Sequence, residues 1–343
     1  MSQRGELFTQ PAYLQALQSS ACKETGWLPA GPTGLDWLKS HSWGEFVFDQ
    51  AFAQAYERAG GAYYPKWVRA VPFSPVPGPR LGPNPASTAA KLLGQAGEAG
   101  ASGAHVLFLP ETELTSLDPQ QWLQRLDLRY VWHNRSYADF EAFLSALSSK
   151  RRKSIRAERR KVGAHALQIR WCPAGELSEA QLHRAYALYA STYQMRGQQP
   201  YLQPDCLQAW AQALPEQMLF CLAEDVQGLM QAMAFFFRDS AHLYGRHWGA
   251  AGDWDALHFE LCYYQGMDYC LREGLQLFDA GVQGQHRLLR GFEPEFSHSV
   301  HHFFHPELHR AVGAYLEREG SALRAEAQFL REQHLAYKDS SAA

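Results

Sequence analysis

A mixed α/β fold built as two packed units is what this chain of 343 residues predicts, on three observations. The length exceeds the roughly 250–300 residues at which a single core stops growing. Between residues 165 and 330, strand-like and helix-like stretches alternate, and three of the strand-like runs follow one another closely. Hydrophobic residues make up 46% of the chain, and ten Trp, 19 Phe and 16 Tyr supply the bulky apolar bodies that two cores need. The expected sheets are mixed and mostly antiparallel, flanked by helices.

In the first third, an apolar run over 63–73 leads into Pro-rich punctuation, PVPGPRLGPNP, and a small-residue helix over 86–97. The loop signal AGASG then precedes a short strand, HVLFLPE. A helix is expected over 113–126, before the apolar and aromatic strand LRYVWHN. From Asp139, the residues Phe140, Phe143, Leu144 and Leu147 recur at i, i+3, i+4 and i+7, which is the signature of an amphipathic helix. The next segment, SSKRRKSIRAERRKVG, reads as a second helix that Ser148 or Ser149 can cap, with Ile155 and Val162 as its only larger apolar residues. Most of its surface must therefore face water or a ligand.

The second half reads as a strand in HALQIRWC, helices over 177–195 and 204–214, and strands in MLFCLAE, LMQAMAFFF and HLYGRHWG. A long helix over 257–272 follows, stopped by Gly274, then the strand LQLFDAG, the strand-like PEFSHSVHHFF and a closing helix over 306–332. That order is the layout of GNAT-type acyl-transferring folds, in which the fourth and fifth strands splay apart to form the site. Residues 164–335 thus read as a GNAT-like domain, after a basic helical connector at 137–163 and before a disordered tail at 336–343.

No run reaches the roughly 20 apolar residues of a membrane span, and MSQRGELFTQ lacks the apolar stretch of a secretion signal, so a soluble cytoplasmic protein is the simplest expectation. The six cysteines, Cys22, Cys172, Cys206, Cys221, Cys262 and Cys270, form no CxxC pair and read as small buried hydrophobes.

Charge is unevenly spread. Residues 150–161 hold eight Lys or Arg against one acid, Glu158, a local +7 in a chain of net −3, which leaves −10 elsewhere. On a helix Arg152, Arg156 and Arg160 align at i, i+4 and i+8 with Arg159 beside them. Such like charges repel one another, so the stripe points to an anionic ligand such as phosphate, held bidentately. The alternative is a solvated face neutralised by internal carboxylates.

Several segments are similar to the FemAB-like family of peptidoglycan biosynthesis/recognition, which is built from GNAT-like domains. They are the basic helix, KSHSWGEFVFD, YYPK, AVPFSPVPGPRL, HLYGRHWG, LHFELCYYQGMDYC and DAGVQGQHRLLRGFEP, and the resemblance runs from Phe8 to about Glu319. It implies tandem GNAT-like domains, the N-terminal one at 1–136, and an acyl or aminoacyl transferase with no tightly bound cofactor. Acyl-CoA or aminoacyl-tRNA would be the co-substrate and tRNA a partner, and the acceptor would be a small-molecule or peptide amine. A non-catalytic module that binds a peptidoglycan precursor or a protein is the alternative. Two departures stand out. Between Trp27 and Lys39 the family carries a longer strand pair, so an abbreviated first sheet is expected. Where more distant relatives carry a Lys before Phe-Gly, Arg287 and Arg290 flank that place.

Amide formation from an activated ester needs a deprotonated amine and a stabilised oxyanion, not an enzyme nucleophile. The candidate acid–base groups are Glu260 and His258 on the long helix, Asp279 at the end of its strand and His286 in the loop beyond. Arg287 and Arg290 are candidate electrostatic clamps. The stretch Arg246 to Ala251 fits R-x-x-G-x-A, a loop that would cradle pyrophosphate with backbone N–H groups, although Asp253 and Asp255 follow at once. His298, His301, His302, His305 and His309 do not share one face of a strand, so no metal site is expected.

Overall fold

The computed structural model describes residues 3–22, 25–58, 60–281, 284–333 and 336–338. Two compact units emerge, and neither is contiguous in sequence: of the described residues, one comprises 3–129 and 296–328, the other 130–295 together with 329–333 and 336–338. The division falls inside two long strands, β5 (Leu123–His133) and β11 (Glu293–Phe303), rather than at the expected boundary after residue 136.

The first unit begins with α1 (Pro11–Ser20) and the hairpin β1 (Trp27–Pro29) and β2 (Asp36–Lys39). The strand pair expected to be abbreviated is thus present, paired over three residues from Trp27↔Lys39 to Pro29↔Trp37. Helix α2 (Gln50–Arg58) leads to β3 (Lys66–Arg69), which lies antiparallel to β2. Helix α3 (Pro85–Glu98) carries the chain to β4 (Gly103–Leu109), parallel to β3, and β11 closes the far side antiparallel to β4. The small residues Ala89 and Ala96, with Leu92, bury α3 against Trp67, Ala104 and Val106, and Val300 of β11 joins the same core.

The expected helix over 113–126 is corrected. Helix α4 is only Glu111–Leu114, and by Leu123 the chain is already β5. Asp118 turns it, its carboxylate accepting from Gln120 N at 2.9 Å. Glu113 is buried, and its carboxylate accepts from the backbone N–H groups of Arg80, Leu81 and Gly82 at 2.9–3.1 Å.

KSHSWGEFVFD and YYPK fold onto one another. Lys39 of β2 and Lys66 of β3 are direct cross-strand partners, and both are buried. Lys66 Nζ donates to Glu45 at 2.7 Å, to Ser42 at 2.8 Å and to Asp49, while Tyr63 donates to Asp49 at 2.6 Å. Among the described residues Lys39 reaches only the carbonyl of Trp43 at 3.1 Å and the face of Trp27 at 4.0 Å. Burial, opposed by Glu45 and reinforced by Lys66, lowers its pKa to about 7.

The second unit holds the strand order β5, β10 (Leu277–Asp279), β9 (His242–Ala250), β8 (Met230–Arg238), β7 (Met218–Glu224), β6 (Gln168–Pro173). The β6 to β9 pairings are antiparallel, β9 and β10 are parallel, and β10 is antiparallel to β5. Its helices are α5 (Phe140–Ala146), α6 (Ser149–Gly163), α7 (Glu179–Gln194) and α8 (Pro204–Ala213). A long helical stretch follows, made of α9 (Leu257–Phe259), a π turn (Glu260–Tyr264) and α10 (Gln265–Glu273). Asp139 caps α5 through Ala142 N, and Ser178 with Gln181 forms a capping box on α7. Ser148 is the N-cap of α6 but makes no side-chain capping bond.

Two glycines set the layers. A Cβ at Gly249 would stand 2.0 Å from the carbonyl oxygen of Leu188, so α7 lies directly on the backbone of β9. A Cβ at Gly266 would meet the ring of Phe278 at 2.4 Å, which brings the long helix equally close to β10. The tail expected to be disordered is packed over residues 336–338: Tyr337 bridges to Leu147, donates to Gly291 O at 2.8 Å and stacks under Arg135. Residues 339–343 lie outside the described residues, and α11 (Pro306–Gln333) is the closing helix.

Candidate functional site

The β9/β10 pair supplies the geometry. Parallel pairing runs only from Leu277↔His242 to Asp279↔Tyr244, after which β9 continues to Ala250 without β10 beside it. In a parallel pair the crevice beyond the carboxyl ends of two separating strands is where ligands bind. The chain leaving β9 becomes α9, and the chain leaving β10 becomes a 3₁₀ helix, Gln285–Arg290. These two exits meet. Tyr263 OH and His286 Nε2 are 2.9 Å apart, and Arg287 Nε donates to the same phenolic oxygen at 3.3 Å. Arg290 lies 3.6 Å over the ring of Phe259. Arg287 Nη1 ties the 3₁₀ helix back to β10 through Gly281 O at 2.5 Å.

His258, from α9, packs edge-on against Trp248 and Tyr263. Burial pushes its pKa down to about 4, helped by His286, Arg287 and Arg290. His286 is exposed and is also lowered, first by partial burial and then by Arg287 and Arg290. Both imidazoles are therefore neutral near pH 7. Gly284 makes room for His286: at φ +109° it takes no side chain easily, and a Cβ there would stand 2.4 Å from the ring.

Glu260 occupies the π turn, a feature that often marks functional positions in helices. It is buried, its Oε1 accepts from Arg159 at 3.0 Å and Gln265 at 2.9 Å, and its Oε2 has no hydrogen-bond partner. Burial raises its pKa against the pull of Arg159. Asp279 is buried at the end of β10 and accepts from Gly281 N at 3.0 Å.

Helix α6 divides its charges. Arg159 bridges Glu260 and Asp268 and lies 4.5 Å over Phe140. Arg156 pairs with Glu141, and Lys161 with Asp255 at 2.8 Å. Glu158 does not neutralise its own helix: it accepts from Arg290 at 2.7 and 3.2 Å and from Tyr264. Arg152 donates to Leu147 O at 3.4 Å. Among the described residues Lys150, Arg151, Lys153 and Arg160 pair with no carboxylate, and Lys150, Lys153 and Arg160 are exposed. The expected stripe is thus split, Arg156 having an internal partner and Arg160 none.

The expected R-x-x-G-x-A loop is corrected. Arg246 to Ala250 is β-strand, with His247 through Ala250 registered on Phe235 through Ala232. Its backbone is committed to the ladder, and Gly249 is there for α7. Arg246 lies on this strand near Tyr193 and His247. Tyr263, which joins His258 to His286, was not among the sequence candidates. It lies inside the π turn, which no sequence signal marks.

His301 meets His105 at 2.9 Å and Ser299 at 3.0 Å, and His302 donates to Gln121 O. Among the described residues no group of three or more His, Cys, Asp or Glu could hold a metal. All six cysteines are free, five buried and Cys262 half-buried. No helix of the described residues is long and apolar enough to cross a membrane.

The FemAB-like family, described as peptidoglycan biosynthesis/recognition, matches residues 1–339. The chain belongs to that family. Its solved structural neighbours show the fold of this FemAB-like protein. FemX superposes at a TM-score of 0.52 with 10% identity, covering 90% of this chain and 95% of its own. L-PGS from Bacillus licheniformis superposes at 0.51 with 11% identity, covering 90% and 97%. No curated protein matches the chain in sequence.

Proposed function

We propose that this FemAB-like protein transfers an aminoacyl or acyl group from an activated donor, aminoacyl-tRNA or acyl-CoA, to the amine of a peptide or small molecule in peptidoglycan synthesis. Family membership and the acyltransferase fold support the reaction class. The observation that carries the site is the meeting of His286, Tyr263 and Arg287 where β9 and β10 part.

The chemistry follows from that geometry. The acceptor arrives as an ammonium and must lose a proton before its nitrogen can attack the donor carbonyl. His286 is exposed and neutral, and in the tautomer whose Nε2–H donates to Tyr263 the Nδ1 lone pair is open to that proton. Arg287, held by Tyr263 and Gly281 O, supplies fixed positive charge for the oxyanion that forms as the carbonyl is attacked. No covalent enzyme intermediate is required: the oxyanion collapses to the amide as the acyl C–O or C–S bond to the donor breaks, and the departing tRNA hydroxyl or CoA thiol takes the proton held by His286. The five α6 cations without carboxylate partners among the described residues, Lys150, Arg151, Arg152, Lys153 and Arg160, would hold donor phosphates, and both donor classes are cytoplasmic compounds, which is where we place the reaction.

The test incubates the purified chain with labelled aminoacyl-tRNA or acyl-CoA and a peptide amine. Transfer should be seen, and His286→Ala should lower it by about 10²–10⁴-fold with donor binding retained. Binding without turnover in the unmodified chain would leave a recognition module, and full turnover in His286→Ala would remove the assigned base.

A further inference from the structure

The unit formed by residues 3–129 and 296–328 holds a separate cavity of about 570 Å³, within the range of small-ligand sites. Its apolar wall includes Leu117, Leu126 and Trp122, and the charged or titratable groups on it are Glu111, Arg324 and His298. Three observations converge. Trp122, on the cavity wall, is buried, and its indole N–H has no acceptor among the described residues, an unusual state for a buried donor. Gln124 holds His298 at 3.0 Å through Nδ1; with the amide donating, the imidazole proton rests on Nε2. His298 feels both charges, Glu111 favouring its protonated form and Arg324 opposing it, so acid and base flank the same ring.

We propose that this cavity binds a zwitterionic peptide of two or three residues, its ammonium at Glu111 and its terminal carboxylate at Arg324 and His298, with small apolar side chains on Trp122 and Leu117. A neutral apolar ligand would leave two opposed charges unused. A simple anion would meet Glu111, and a simple cation would meet Arg324. Only a molecule with both charges at its ends matches the wall. The inference goes beyond the transfer reaction and does not depend on it, because the site is complete within its own unit.

The probe is alanyl-alanine, titrated into the full chain and followed by ¹H–¹⁵N NMR at the Trp122 indole and the Gln124 side-chain amide. Saturable shifts at both are expected. N-acetylation or C-amidation of the dipeptide, or Arg324→Ala, should each weaken binding by roughly tenfold or more, the loss expected for one charge-assisted hydrogen bond. Arg324 and Glu111 are exposed, so Arg324→Ala and Glu111→Gln test the ligand rather than the fold. Equal affinity for the blocked and free dipeptides, or shifts absent at Trp122 and Gln124 up to tens of millimolar, would overturn the proposal.

Discussion

Replacing Lys39 by Met should make the protein more stable, although Lys39 sits among charges in a buried network. The side chain is wholly buried opposite Lys66, and its pKa is about 7 against 10.5 for a free lysine. Folding at pH 7 therefore strips or desolvates a proton that the unfolded chain holds freely. The linkage integral over that 3.5-unit gap costs on the order of 4 kcal/mol at pH 7. Methionine keeps the aliphatic stem and forfeits one hydrogen bond to Trp43 O, worth about 1 kcal/mol. A net gain of about 3 kcal/mol remains. The sign with pH follows from proton binding: between pH 7 and 10.5 the unfolded chain binds more protons, so the wild type gains stability as pH rises. The advantage of Lys39→Met should accordingly shrink to near zero by pH 10. Urea unfolding followed by tryptophan fluorescence at pH 7, 8.5 and 10 measures it, with Trp27 and Trp37 reporting from the same core. Lys66→Met is the contrast, since it strands Glu45 and Asp49 and should cost about 3–5 kcal/mol. If Lys39→Met destabilises at pH 7, or its effect does not change with pH, the account of an uncharged buried amine is wrong.

Other outcomes can be measured alongside. The acidic limb of kcat/KM against pH should fall below the ordinary histidine value, because burial and then Arg287 and Arg290 lower His286; Arg287→Met should move that limb upward, and an unmoved limb would dissociate His286 from the rate. Gly266→Ala places a methyl 2.4 Å from Phe278 and should cost about 1–3 kcal/mol in thermal unfolding, whereas a neutral result would mean the long helix can shift on β10. If the donor is aminoacyl-tRNA, the slope of log affinity against log salt should drop by about 2 in the double variant Arg151→Ala, Arg160→Ala and stay unchanged in Arg156→Ala, whose guanidinium already serves Glu141. Equal slopes in all three would remove α6 from donor binding.

Much of the second unit was legible because local signals agreed with the fold. The helix expected over 177–195 is α7, Gly274 in the left-handed region ends α10, and the runs at β7, β8 and β9 carry strand residues between short turns. Reading failed where tertiary contacts decide. The stretch after Glu111 has helical composition, but Glu113 is consumed by the backbone of residues 80–82 and the chain turns at Asp118. Arg246 to Ala251 satisfies a loop pattern whose glycine answers instead to Leu188. At the candidate site, His258, His286 and Arg287 were candidates from sequence, whereas Tyr263, inside the π turn, was not. The charges of α6 were visible in sequence, but their partners were not: Glu141, Asp255, and Glu260 with Asp268 come from three separate segments.

The interleaving of the two units has a consequence for synthesis on the ribosome. Residues 130–295, 166 in all, must be made before β11 can be laid against β4. At about 5–20 residues per second that is a wait of roughly ten to thirty seconds. Throughout it, β4 exposes a row of unpaired backbone groups and the apolar faces that Val300 and Phe303 will later cover. The nascent chain thus carries an open strand edge for longer than most domains take to fold, which makes it a natural client for holding chaperones and a poor candidate for being cut into independently expressed halves.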